Sequence, residues 1–185
     1  MNQWKGIVGS GFKSDEFDAY VRSLSFGLWR PQYIVLHHTS QPRLEKWHDQ
    51  PGEKRMEEFV YYYRIERKLT AGPHLFIADD LIWVFTPLTT TGRHTPSWNH
   101  KSWGVMMVGD YNVEAISGRV RNNTVAALVT LCGAAGLNSG LIYSHSDDPL
   151  STQKDCPGHN VNKMDIIHRV GKRLLKKYAG EHFPY

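Results

Sequence analysis

The β-rich apolar runs of this 185-residue chain are short: Tyr33-Ile34-Val35-Leu36, His74 to Ala78, Leu81 to Phe85, Trp103 to Val108 and Leu141-Ile142-Tyr143. Runs of this length suit strands and fall far below the roughly 18–20 apolar residues that a membrane-spanning helix requires. Asp79-Asp80 between the second and third runs reads as a β-hairpin turn. The intervening segments have helical spacing instead. Phe17, Tyr20, Val21 and Leu24 mark a helix over 15–24, with Ser14 as the expected cap. Met56, Phe59, Val60 and Tyr63 mark a second over 55–68, ended by Ala71-Gly72-Pro73. Val125, Leu128, Val129 and Cys132 mark a third over 123–136, and Ile167, Val170 and Leu174 a fourth over 161–178. Strands interleaved with helices predict an α/β (α+β) fold, a mixed central β-sheet flanked by helices. Alternation places Gly104, Met106 and Val108 on one face of their strand.

No internal repeat, low-complexity tract or long linker divides the chain, so residues 1–185 read as a single domain. Apolar residues make up 41% of it, enough for one substantial core. Two cysteines, Cys132 and Cys156, exclude a disulfide framework of the small secreted kind. Cys132 falls on an apolar helical face and reads as a core residue. The opening residues lack the basic start and apolar run of a signal peptide, so the reading expects cytoplasmic synthesis and no membrane insertion. A net charge of +4 favours anionic partners in general. A basic nucleic-acid-binding protein is one class compatible with that charge, but no recognition motif supports it, and the reading expects no nucleic acid partner.

Ten histidines are present, and their placement is the main chemical signal. His37 and His145 each stand at the C-terminal end of a short apolar run, and Cys156 follows His145 within Lys154-Asp155-Cys156-Pro157-Gly158. Two imidazoles and a thiolate suit tetrahedral zinc and leave a fourth position for water, whose pKa the metal lowers to roughly 7. Strand-end histidines that only make hydrogen bonds, with a loop thiol beside them, satisfy the same spacing. His38 follows His37 on an extended strand and points to the opposite side, so it reads as packing or support rather than a ligand.

Several motifs occur together in order. They are Ile34-Val35-Leu36-His37-His38-Thr39, Ala71-Gly72-Pro73-His74-Leu75-Phe76-Ile77, Gly92-Arg93-His94, Ser97-Trp98-Asn99, Ser102 to Tyr111, and His145 with Lys154 to Gly158. Over residues 30–175 this wording resembles the type-2 N-acetylmuramoyl-L-alanine amidases, the family of amidase-type phage lysozymes and peptidoglycan recognition proteins. It looks most like a phage or prophage endolysin subgroup. The resemblance implies that His37, His145 and Cys156 bind Zn2+; residues 1–29, which lie before it, are expected from the helical spacing over 15–24 to form a helical extension packed on the domain. It implies that Lys154 stabilises the oxyanion, and that His94 contacts substrate or the transition state from a loop across the cleft. His74 is implied to pack beneath the site.

Two positions depart from the family pattern. Many members carry a catalytic glutamate where this chain has Met106, whose thioether cannot accept a proton, and others carry a tyrosine where this chain has Pro73. Another group, such as His94, Asp155 or a carboxylate from elsewhere, would then move the proton. The implied function is hydrolysis of the amide between N-acetylmuramic acid and L-alanine in peptidoglycan. The alternative is a peptidoglycan-binding module impaired in turnover because of Met106. Expected partners are peptidoglycan or muropeptide, with a monomer favoured and action on the cell wall after release by lysis or as a particle component.

Overall fold

The computed structural model describes residues 3–179. Its six strands are β1 (Ser10–Phe12), β2 (Tyr33–His38), β3 (Leu75–Ile77), β4 (Ile82–Val84), β5 (Ser102–Met107) and β6 (Ile142–Ser144). They form one mixed sheet in the order β1-β4-β3-β5-β2-β6. The two pairs that involve β4 are antiparallel and the remaining three are parallel. The helices are α1 (Ser14–Ser23), α2 (Leu44–Trp47), α3 (Gly52–Val60), α4 (Gly118–Ala135) and α5 (Lys163–Lys177); α3 runs directly into a π-helical turn, Tyr61–Glu66.

Period-two alternation sorts the strand residues onto two faces. Ile34, Leu36, Leu75, Ile77, Trp103, Val105 and Met107 join Val125, Leu128, Cys132, Val170 and Leu174 in the larger core cluster, which α1, α4 and α5 cover. Phe76, Trp83, Phe85 and Val108 form a second cluster with Trp47 and Met56, against which Phe59, Tyr63 and Met106 pack. Phe59 stacks on Phe76 with ring centroids 4.1 Å apart. Fully burying one such side chain contributes about 1.5–3 kcal/mol, so the two clusters hold the sheet from both sides. Helix α4 starts where Ser117 accepts a hydrogen bond from the Val120 N–H and stops at Gly136, whose left-handed φ of 65° lets the Leu137 N–H return to the Cys132 carbonyl.

The mixed sheet, the hairpin and all four expected helices are present, with several differences in detail. Ser14 is the first residue of α1 rather than its cap; Lys13 takes that position, and its N–H donates to the Glu16 carboxylate at 2.8 Å. The second helix begins earlier and ends before Ala71-Gly72-Pro73, because Lys68 adopts a left-handed conformation with φ 53°. The stripe of α5 is Ile166, Val170 and Leu174, with Ile167 at its margin. The N-terminal segment contributes a strand as well as a helix: β1 pairs with β4, and the N–H groups of Val8 and Gly9 extend that pairing to Phe85 and Val84.

Candidate metal centre

The parallel register of β2 with its neighbours assembles the centre. Leu36 pairs with Ser144 of β6, so His37 and His145, the next residue of each chain segment, lie side by side with ring centroids 4.6 Å apart. Alternation directs His37 to the opposite face from Leu36, away from the larger core. His145 opens a short 3-10 turn, held where the Ser144 N–H donates to the Asp147 carboxylate. Cys156 is tied to that turn because its carbonyl accepts from the Ser146 N–H at 3.1 Å. Its Sγ lies 3.9 Å from His37 Nδ1, and the donor atoms of His37, His145 and Cys156 all fall within 4.8 Å of one another.

These donors are prepared for a cation. Burial, then the neighbouring histidines, holds His37 well below the usual imidazole range, and burial lowers His145 as well. Both rings therefore keep a lone pair at neutral pH. Burial pushes the Cys156 thiol up to about 12, with only partial relief from the His38 backbone N–H. Among the described residues no cation lowers the Cys156 thiol, whereas a bound divalent ion deprotonates a coordinating thiol outright. Two neutral imidazoles and one thiol fit zinc.

His94 fixes which nitrogen His37 presents. His94 Nε2 faces the Ser102 carbonyl at 3.3 Å, where only a donor fits, so His94 Nδ1 is the acceptor that meets His37 Nε2 at 3.1 Å. His37 therefore carries its proton on Nε2 and turns a bare Nδ1 toward Cys156. The His94 backbone is fixed in turn, because Asn99 Oδ1 accepts the N–H groups of His94 and Thr95 at 2.7 and 3.0 Å. Burial lowers His94 to about 3.

The other sequence-selected residues separate clearly. His38 Nδ1 accepts the Tyr111 N–H at 3.0 Å, which turns it away from the three donors. His74 uses both ring nitrogens on backbone, accepting from the Gly104 N–H and donating to the Thr90 carbonyl, so its role is packing. Met106, paired with His37 across β2 and β5, lines the cleft over the centre. Lys154 is exposed two residues before Cys156, while Ser151, Thr152 and Gln153 supply the cleft wall on that side. Asp155 is exposed and faces His159 at 3.4 Å rather than the cleft. Cys132 is buried in α4, where burial raises its thiol to about 12.

The cleft encloses about 1000 Å3 and includes His37, His94, Met106, His145 and Cys156 among its lining residues. Glu58 is the carboxylate among the described lining residues, and it is engaged by Arg55 at 2.9 Å and Gln50 at 2.7 Å. Two contributors escaped the sequence reading. Asp148 is fully buried, and hydrogen bonds from Ser97 and the Leu150 N–H outweigh the raising effect of burial to keep it ionised, where its charge favours a protonated His145. Tyr63 lines the same cleft. The Ser97-Trp98-Asn99 motif hinted at the first contact; no local pattern announced the second.

The profile of the N-acetylmuramoyl-L-alanine amidases matches residues 28–159, well over half of the chain. The chain belongs to this type-2 amidase family. No curated protein shows significant similarity to this amidase-family chain across its sequence. Among solved structures, it is similar to the endolysin N-acetylmuramoyl-L-alanine amidase LysCS of Clostridium intestinale, with 22% identity, 77% of this chain and 84% of that one covered, and a TM-score of 0.62. The Clostridium intestinale amidase LysC matches at 21% identity over 77% and 86% of the two chains, with a TM-score of 0.63. A substituted form of Drosophila PGRP-LB, solved with tracheal cytotoxin, matches at 17% identity over 88% and 89%, with a TM-score of 0.63. At these identities the likeness is one of fold.

Proposed function

We propose that this chain is a zinc-dependent peptidoglycan hydrolase that cleaves the amide between the lactyl group of N-acetylmuramic acid and L-alanine. The observation that carries the reading is the convergence of His37 Nδ1, His145 and Cys156 Sγ at one cleft, with His94 holding His37 in the ligating tautomer. His37, His145 and Cys156 would hold the ion, which when bound supplies Lewis-acid polarisation of a carbonyl and an acidified water. His94 keeps the His37 lone pair aimed inward. The flexible side chain of Lys154, beside Cys156, is assigned to the developing oxyanion. A neighbour of the same fold holding tracheal cytotoxin supports a cleft that takes peptidoglycan fragments. The endolysin-like neighbours support action on the cell wall.

One observation favours a second reading, in which the cleft binds peptidoglycan without turnover: Met106 lines it where a carboxylate would serve as base, and Glu58 is committed to Arg55. Zinc analysis of the purified protein and of Cys156→Ala, with chromatography of muropeptide digests, separates the two. The amidase reading expects one zinc per chain, lost in the variant, and release of free stem peptide by the parent. Stoichiometric zinc with tight muropeptide binding and no released peptide would select the binding module.

A further inference from the structure

We propose that Tyr63 is a catalytic residue of this amidase, its phenolic hydroxyl donating a hydrogen bond to the oxygen of the scissile carbonyl as negative charge develops there. The assignment rests on the amidase reading above and adds to it a group from the π-helical turn that follows α3.

Tyr63 lies in the π-helical turn Tyr61–Glu66, a geometry often found at functional sites because it displaces side chains from their α-helical positions. It lines the same cleft as His37, His145 and Cys156. Among the described residues, no protein group hydrogen-bonds its hydroxyl, so that donor is left for whatever occupies the cleft.

The ring is held firmly. Phe85 lies 5.7 Å away and Tyr62 5.1 Å away in ring-centroid distance. Gly72 lets the ring in: a Cβ there would come within 3.0 Å of Tyr63 Cδ2 and 2.6 Å of Phe85 Cε1. Behind it, the Tyr63 carbonyl accepts the Leu69 N–H at 2.9 Å. A fixed ring with a free hydroxyl is preorganised, so little rearrangement opposes its action in the transition state.

Burial, with smaller contributions from Tyr62 and Cys156 that outlast the opposing Arg67, pushes the phenol well above its ordinary range. Tyr63 thus stays protonated and serves as a donor rather than a base. In the overall reaction water adds to the carbonyl carbon, the C–N bond breaks, and the water protons end on the departing amine. The Tyr63 O–H is intact at the start and at the end.

The test uses the full chain loaded with zinc, a purified disaccharide peptide as substrate, and a phosphinate analogue of the tetrahedral intermediate. Tyr63→Phe removes one oxygen that bonds nothing in the protein, so folding and zinc content should hold. We expect kcat to fall by about 10²- to 10³-fold with KM unchanged, and phosphinate affinity to fall by a similar factor. Tyr61→Phe, an exposed position outside the cleft lining, should match the parent. Parent-like kcat and phosphinate affinity in Tyr63→Phe would overturn the assignment while leaving the amidase reading intact. So would a kcat loss that came with loss of zinc or of thermal stability. A zinc-loaded parent that binds the substrate but releases no peptide would sink the amidase reading and this assignment with it.

Discussion

With both ring nitrogens engaged, His94 acts on the centre only through His37. Its Nε2 proton goes to the Ser102 carbonyl and its Nδ1 accepts from His37, which removes it from the candidates for a proton-transferring base. The resemblance implied a substrate contact for His94; the geometry supports a positioning role. Truncation in His94→Ala leaves the buried His37 N–H unpaired and its tautomer free, and losses of such outer contacts weaken metal binding by about 10- to 100-fold. Competition with a chromophoric chelator reads this directly, and unchanged zinc affinity would refute the role. Met106 carries the complementary prediction. It lines the cleft beside His37, so Met106→Glu supplies a carboxylate that the described lining otherwise offers only as the paired Glu58. General-base assistance typically contributes about 10²- to 10⁴-fold, and kcat should rise in the zinc-loaded variant by an amount within that range. The donors His37, His145 and Cys156 were readable because each sits beside a strand-like run or a punctuated loop. Asp148 and Tyr63 were not, because their roles arise from contacts with distant segments.

Strand β5 shows how one element serves both the core and the centre. Trp103, Val105 and Met107 face the larger core, while Gly104 and Met106 face the cleft side, as alternation predicted. Gly104 is there for space: a Cβ would stand 2.4 Å from His94 Cγ, and its N–H is already given to His74. Gly104→Ala therefore pushes against the residue that orients His37. Overpacking of this kind destabilises by about 1–3 kcal/mol, and chelator competition should show weaker zinc binding than the loss in thermal stability alone explains. Zinc affinity at the parent level would show that His94 yields without consequence. The strands legible in the sequence were those with enough apolar residues to make a period visible. β1 was hidden because Ser10-Gly11-Phe12 has no such period; its identity comes from pairing with β4. The four-residue α2 and the switch from α- to π-helix at Tyr61 are likewise fixed by packing around Trp47, Phe59 and Phe85 rather than by local propensity.

Across the whole molecule, burial lowers several histidines together, and this couples folding to pH. His74 is lowered to about 4 and His94 to about 3, both by burial first, and His37 lies well below 6.5. The unfolded chain takes up protons on these rings near pH 6.5, while the native state refuses them until far lower pH. The unfolded state therefore binds more protons throughout that interval, and stability must fall with pH. The contribution is fully present above about 6.5, and it declines as the solution is acidified toward about 4, where His74 protonates, and about 3, where His94 does. Bound zinc acts in the same direction, since protons compete for His37, His145 and Cys156. Calorimetry at steps from pH 7.5 to 4.5 should give a Tm that drops steadily in the metal-free protein and more steeply in the zinc-loaded one. Scans in buffers of different ionisation enthalpy should register net proton uptake on unfolding near pH 5.5. A flat Tm across that interval, or proton release, would mean that the histidine cluster is hydrated rather than sealed between the sheet and the loop of residues 93–99.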